Sequence, residues 1–171
     1  MLALVLAGVL SSVGSPRAQP GPAPARGNCL TFHQVHPEVR APAALQTRAP
    51  EGFKVYLVAY SERPEEGLIL RETPFVDGGD LADAETSFDL ATGQPVVILR
   101  FNDTGRAKLA GFTQAHVGRA IAIVVDGRVI SAPLVREPIL DGISQIGGSL
   151  TAKDAVGLVA KLKSGTCAPA R

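Results

Sequence analysis

An apolar hairpin signal in the second half of the chain limits the possible folds more than any other segment does. Residues 120–125 (AIAIVV) are continuously apolar and rich in β-branched side chains, which is typical of a buried strand. Asp126-Gly127 follows, and this dipeptide favours a type I′ turn because both of its central positions need a positive φ. Residues 129–132 pair back, and Pro133, which has no N–H, is expected to stop the ladder. The sequence therefore predicts a tight β-hairpin here.

Other strands are predicted from apolar periodicity and turn residues. Residues 81–90 are ambiguous, with a helical turn near Ala82–Ala84 and an extended stretch over Thr86–Phe88. Alternating or continuous apolar runs that lie between turn residues predict the remaining strands. These strands cover residues 30–33, 53–60, 68–71, 96–99 and 143–146.

Two helices carry recognisable ends. Asn102 or Asp103 is a suitable N-cap for the first, whose apolar stripe includes Leu109 and which Gly118 is expected to end. The second begins with a capping box in residues 151–154 and is expected to end at Gly165. Strands outnumber helices, so we predict an α+β fold in which two main helices pack on a mixed or antiparallel sheet.

Composition excludes several classes of protein. The chain has 171 residues, which suits one domain with a real core. Its 17 basic and 16 acidic residues give a formal net charge of +1, too little to attract nucleic acid. The hydrophobic fraction of 46% argues against intrinsic disorder. No run of roughly 20 apolar residues is present to cross a bilayer, so we expect no membrane span in the mature chain.

The N-terminus indicates export. Residues 1–13 are almost wholly apolar and too short for a comfortable transmembrane helix, and a Pro/Ala/Gly stretch follows. Ala23-Pro24-Ala25 suits signal peptidase, so residues 1–25 are predicted to be a signal peptide, with Ala18 as an alternative cleavage site. A buried N-terminal helix is the other interpretation. The expected location is therefore the periplasm or the extracellular medium.

The two cysteines fit an oxidising compartment. Cys29 follows the predicted cleavage region, and Cys167 lies close to the C-terminus. A lone pair of cysteines in an exported protein usually forms a bridge, so we predict a disulfide between them.

Several segments resemble one family. Residues 74–89 (PFVDGGDLADAETSFD), 93–105 (GQPVVILRFNDTG), 117–142 and 145–151 are similar to the first periplasmic domain of SecD, the membrane subunit that assists the Sec export channel. Residues 123–133 are the most specific part of this match. The segment 29–60 also resembles the region that precedes it in SecD.

The resemblance implies more than the residues do by themselves. It implies a SecD periplasmic head-like fold with ferredoxin-like elements, and a head that contacts protein emerging from the channel. SecD continues into a transmembrane bundle, whereas this chain is expected to be a stand-alone exported domain without it. We divide the chain into an N-terminal strand and Pro/Ala-rich loop (26–52), a SecD-head-like domain (53–165) and a C-terminal tail (166–171).

The sequence gives only weak signals for catalytic or metal-binding residues. His33, His36 and Glu38 are metal-ligand types, but positions i and i+3 of an extended segment face opposite sides. His116 is placed to cap a helix carbonyl. The acidic residues between Asp77 and Asp89 fit no Ca²⁺ loop, and a solvated acidic face is expected instead. We predict no enzyme activity, no metal and no cofactor. A small envelope enzyme or an enzyme inhibitor that reuses the fold is the alternative.

A binding role has better support in the sequence. Residues 133–140 (PLVREPIL) combine large apolar side chains with two prolines, a composition suited to a groove for extended polypeptide. An equally weighted alternative is that Leu134, Val135 and Ile139 only complete the core. We predict that the chain binds exported or unfolded polypeptide, or Sec and other envelope proteins. The predicted polypeptide-binding residues are Val129, Ile130, Leu134, Val135, Ile139 and Leu140.

Overall fold

The computed structural model describes residues 29–37, 48–59, 66–148 and 150–165. In these ranges the strands are β1 (Leu30–Gln34), β2 (Phe53–Leu57), β3 (Gly67–Arg71), β4 (Val76–Asp77), β5 (Leu81–Phe88), β6 (Pro95–Phe101), β7 (Ile121–Val125), β8 (Arg128–Ser131) and β9 (Ile143–Ile146). The helices are α1 (Asp103–Ala115) and α2 (Ala152–Ser164), and a one-turn 3₁₀ helix spans Gly78–Asp80.

The strands of the described residues form three sheets. Their orders are β4-β1-β7-β8, β2-β3 and β5-β6-β9, and every pairing between named strands is antiparallel. The predicted α+β class, with antiparallel sheets and two helices, is confirmed. Among the described residues, three sheets are present where one was predicted. Val58, which follows β2, forms an isolated parallel bridge with Val129 of β8.

The predicted hairpin is present. Asp126 and Gly127 have φ values of 52° and 72°, as a type I′ turn requires, and Val125 lies opposite Arg128. A local register shift follows between Ile123 and Val124 of β7. The turn residues alone were therefore sufficient to place this reversal of the chain.

The ambiguous segment is extended over residues 81–88. β5 pairs along β6 from Leu81↔Phe101 to Phe88↔Pro95, and Leu81 and Ala84 are buried. The predicted helical turn near Ala82–Ala84 is wrong, because long-range pairing with β6 decides the conformation of a segment whose own propensities are mixed.

The helix ends follow the predicted chemistry, with one shift. The Asn102 side chain accepts from the Gly105 N–H at 2.9 Å, and Thr151 and Asp154 form the capping box of α2. Gly165, with φ 66°, caps the end of α2. The C-cap of α1 is His116 rather than Gly118, and the His116 Nδ1 donates to the Phe112 carbonyl at 2.8 Å, as the predicted capping role requires.

The main core lies between the four-stranded sheet, the three-stranded sheet and both helices. Phe32 of β1 is fully buried and makes edge-to-face contacts with Phe75 and Phe101. A second, smaller cluster on the other face of the four-stranded sheet contains Leu70, Ala122, Val124 and Val129.

One predicted surface residue is buried. Asp80 is 5% exposed, accepts from the Asp77 N–H, and receives both Nζ contacts of Lys108 at 2.8 and 2.9 Å. The predicted solvated acidic face is therefore wrong at Asp80. Its carboxylate completes the capping box of the 3₁₀ helix and forms an ion pair with Lys108 of α1. Asp83 and Glu85 form ion pairs with Lys163 and Arg100.

Candidate functional site

The segment that follows β8 makes backbone hydrogen bonds to the start of β7 and to the residues just before it. The Pro133 carbonyl accepts from the Ile121 N–H at 3.0 Å, and the Val135 N–H donates to the Arg119 carbonyl at 2.8 Å. β8 ends at Ser131, before Pro133, as predicted, and an isolated bridge between Ala120 and Leu134 follows. This bridge is possible because proline removes its own donor while its carbonyl still accepts. Residues 133–135 thus prolong the edge of the four-stranded sheet.

The far end of the segment is fastened to α1. The Ile139 N–H donates to the Thr113 Oγ1 at 2.9 Å, and the same hydroxyl donates to the Leu109 carbonyl at 2.8 Å. Thr113 is fully buried. No local signal in the sequence indicates that Thr113 supports a loop 26 residues away.

The structure separates the six predicted binding residues. Val129 and Val135 are buried, at 1% and 4% exposure, and belong to the two core clusters. Ile130 and Ile139 are partly buried. Leu134 and Leu140 are 57% and 58% exposed. Of the predicted set, these two offer most apolar surface to a partner.

A cavity of about 260 Å³ lies beside this segment. Leu134, Val135 and Ile139 line one side, and Ile143 and Gln145 of β9 line another. Ile143 is 38% exposed. β9 was predicted as a strand but not as part of the site, because its approach to residues 133–139 is a tertiary contact. Leu134 and Ile143 line the cavity, and Leu140 follows the lining residue Ile139 in the chain. We call Leu134, Leu140 and Ile143 the apolar rim.

A larger cavity of about 540 Å³ lies between β8 and α2. Its lining includes Ile130 and Leu158 together with several charged side chains. Lys161 forms an ion pair with Asp126 there. Ile130 therefore faces a different cavity from Leu134, and the predicted residues do not meet in one groove.

The histidines have structural partners. His33 is 2% exposed; its Nδ1 donates to the Arg71 carbonyl at 2.7 Å and its Nε2 accepts from the Thr31 hydroxyl at 2.8 Å. The His36 ring packs edge-on against Phe53, and Glu38 lies outside the described residues. Within the described ranges, no three His, Cys, Asp or Glu side chains are grouped to hold a metal ion.

Burial makes His33 a source of pH dependence. Desolvation lowers the pKa of His33 below its ordinary value of 6.5, although the bond to Arg71 partly opposes this. As pH falls through 6.5, the unfolded chain takes up a proton that the folded chain does not bind. We therefore expect stability to fall from about pH 7.5 to 5.5, with a smaller slope in His33→Gln, measured by denaturant unfolding. Equal slopes in the two proteins would refute this.

Several predictions concern residues outside the described ranges. The signal peptide (1–25) and the tail (166–171) are in this group, and so is Cys167. Cys29 is described and buried, with 3% exposure. The Cys29–Cys167 disulfide stays a prediction. In the part of the chain that the structure describes, none of the helices has the length and apolar character needed to span a bilayer.

Solved structures with the same fold define the class of protein. A structure described as the membrane component SecDF that enhances protein export is 28% identical, with a TM-score of 0.60, and the match covers 83% of this chain and 64% of that one. SecDF in a super-membrane-facing form is 29% identical, also with a TM-score of 0.60, over 80% of this chain and 19% of that one. The fold is thus that of an α+β domain of SecDF.

The family follows from sequence. The chain belongs to the SecDF P1 head subdomain family, whose sequence model matches residues 55–168. It is 51% identical over 89 residues to the protein translocase subunit SecD of Acidaminococcus fermentans, covering 52% of this chain and 21% of that protein. It is 34% identical over 141 residues to SecDF of Brucella abortus, covering 82% and 18%. The resemblance to SecD is confirmed, and the chain spans about a fifth of the length of these relatives.

Proposed function

We propose that this protein binds extended, apolar segments of exported polypeptide during protein translocation, in the periplasm or the extracellular medium, without chemistry of its own. Membership of the SecDF P1 head family supports a role in protein translocation. The predicted signal peptide and cysteine pair support the location.

The exposure of the apolar rim is the observation that carries this proposal. Leu134 and Ile143 line the cavity and are 57% and 38% exposed, and Leu140, next to the lining residue Ile139 in the chain, is 58% exposed. Large apolar side chains that surround a concave site mark a surface for apolar ligands. Hydrogen bonds to Arg119 and Thr113 hold the segment in place. The segment therefore loses less conformational entropy when a ligand binds.

The distribution of titratable groups favours binding over catalysis. An active site gathers groups of altered pKa in a cleft. The pKa values of Asp89 and Asp154 are lowered by hydrogen bonds from Thr92 and Thr151, which are turn and cap contacts. The described groups with altered pKa values are His33, Tyr56, Asp89, Lys108 and Asp154, and none of them lines the cavity beside residues 133–139.

Charged substitutions in the apolar rim test the proposal. We expect the double variant Leu134→Glu/Leu140→Glu to bind reduced, carboxymethylated α-lactalbumin, a permanently unfolded chain, at least about tenfold more weakly, because two apolar contacts are lost. Fluorescence anisotropy of the labelled ligand measures this, and circular dichroism checks folding.

The matched control replaces exposed apolar residues elsewhere. Leu90 and Val156 are 103% and 61% exposed and do not line this cavity. Leu90→Glu/Val156→Glu adds the same charge and should keep the wild-type affinity. Unchanged binding by the folded rim variant, or equal loss in both variants, would contradict a site at residues 133–143.

A further inference from the structure

β9 is an edge strand with its outer side open. It lies last in the sheet order β5-β6-β9, so β6 pairs with only one of its two sides. The Phe101 N–H donates to the Gly142 carbonyl at 2.9 Å, and Leu99 lies opposite Ser144 in the same register. Because hydrogen-bonded positions alternate in antiparallel pairs, the peptide groups of Ile143 and Gln145 face away from β6.

Most of these outward peptide groups have no partner among the described residues. The Ile143 N–H donates to the Asp141 carboxylate at 3.0 Å. The Ile143 carbonyl and the Gln145 N–H and carbonyl have no backbone or side-chain partner in the described ranges. Two acceptors and one donor are therefore available along this edge.

The sequence of β9 lacks the features that protect an edge from further pairing. Its four residues, ISQI, contain no charge and no proline. The opposite edge of the same sheet, β5, carries Asp83 and Glu85, both in ion pairs. β9 is thus the less protected of the two edges of this sheet.

The open edge borders the cavity described above. Ile143, Ser144 and Gln145 line it on one side, and Leu134 and Ile139 line it on the other. An extended polypeptide backbone matches the donors and acceptors of a strand edge. A neighbouring apolar pocket can take every second side chain of that polypeptide. Hydrogen bonding and apolar contact are therefore offered at the same place.

We propose that an extended apolar polypeptide segment binds by adding a strand to β9. Its backbone bonds to Gln145 and to the Ile143 carbonyl, and its alternate side chains contact Leu134 and Ile139 in the cavity. This rests on the proposed function and specifies how the ligand is held: by main-chain bonds that any sequence can make, with apolar side chains preferred.

Removing the donor at Gln145 tests this in the protein. In Gln145→Pro the ring replaces an N–H that β6 does not use, so the sheet is expected to persist while the edge is blocked. Gln145→Ala keeps the N–H and is the control. The probe is a fluorescein-labelled peptide that alternates leucine and serine between terminal lysines. We expect at least about tenfold weaker binding to Gln145→Pro and unchanged binding to Gln145→Ala.

Methylation of the peptide backbone tests it from the ligand side and does not depend on the folding of a variant. Two peptides of the same sequence are methylated at either the leucine or the serine nitrogens. Strand addition uses one edge of the ligand, so only one of the two should lose affinity, by about tenfold or more. Equal affinity, or equal loss, for the two peptides would overturn the proposal.

The outcomes separate this proposal from the proposed function. If Gln145→Pro binds normally and the Leu134→Glu/Leu140→Glu variant does not, strand addition fails and the proposed function stands. If neither variant is impaired, both fail. If sedimentation shows a wild-type dimer that Gln145→Pro abolishes, and the peptide does not bind, the edge serves a second copy of the chain and strand addition by a ligand is overturned.

Discussion

Serine in place of Cys167 is expected to lower the free energy of unfolding by up to roughly 4 to 5 kcal/mol. The predicted bridge to Cys29 closes a loop of about 140 residues, and a crosslink of that length removes much of the entropy of the unfolded chain. Denaturant unfolding of the oxidised wild type and of Cys167→Ser measures the difference.

Contacts of the described residues support this pairing. The Cys29 carbonyl accepts from the Asp126 N–H at 3.0 Å, and the Asp126 carboxylate forms an ion pair with Lys161 of α2. The Gly165 N–H donates to the Lys161 carbonyl, which places the end of α2 one turn further along. Cys167 follows Gly165 by two positions in the sequence. Cys29 and the end of α2 therefore meet at Asp126.

A reducing agent provides the control for the disulfide. Under reduction the wild type should lose stability and match Cys167→Ser, which has no bridge to lose. Two free thiols in the denatured, unreduced protein would refute the pairing, as would equal stability of the wild type with and without reductant.

Alanine in place of Gly105 is expected to destabilise the fold by about 1–3 kcal/mol. An added Cβ would lie 2.8 Å from both the Cβ and the carbonyl oxygen of Asp80, and 3.0 Å from the Cβ of Phe101. These atoms belong to the backbone or lie next to it, so they cannot move without displacing the 3₁₀ helix or the end of β6. The variant would also disturb Asp80, which binds Lys108.

Gly111→Ala is the matched control in the same helix. Nothing lies within 4 Å of its added Cβ, so helix propensity should stabilise this variant by up to about 1 kcal/mol. Denaturant midpoints of the two variants should move in opposite directions. A Gly105→Ala protein as stable as Gly111→Ala would show that the close contact of α1 with Asp80 is unimportant.

The proposed binding mode assigns different roles to neighbouring residues. Val129 and Val135 are buried and stabilise the domain, whereas Leu134 and Ile143 leave apolar surface beside an open strand edge. A substitution at Val135 is therefore a poor test of binding, because it would act through folding. The buried and the exposed apolar residues have to be distinguished in the structure, because they look equivalent in sequence.

The binding site was only partly predictable. Residues 133–140 were predicted from their composition, and two of the six predicted residues, Leu134 and Leu140, are mostly exposed. The participation of β9 was not predicted, because Ile143 approaches Leu134 only in the folded chain. The support that Thr113 gives to Ile139 was missed for the same reason.

Local sequence by itself determined the Asp126–Gly127 turn and the capping box at Thr151, and it narrowed the N-cap of α1 to Asn102 or Asp103, of which Asn102 is the cap. Each depends on hydrogen bonds or dihedral preferences within a few residues, so the information is present locally. Tertiary structure alone decided that 81–88 is a strand, that Asp80 is buried and that β9 keeps an open edge. These outcomes depend on which distant segments compete for the same backbone and apolar surfaces, and that competition is resolved only when the chain packs.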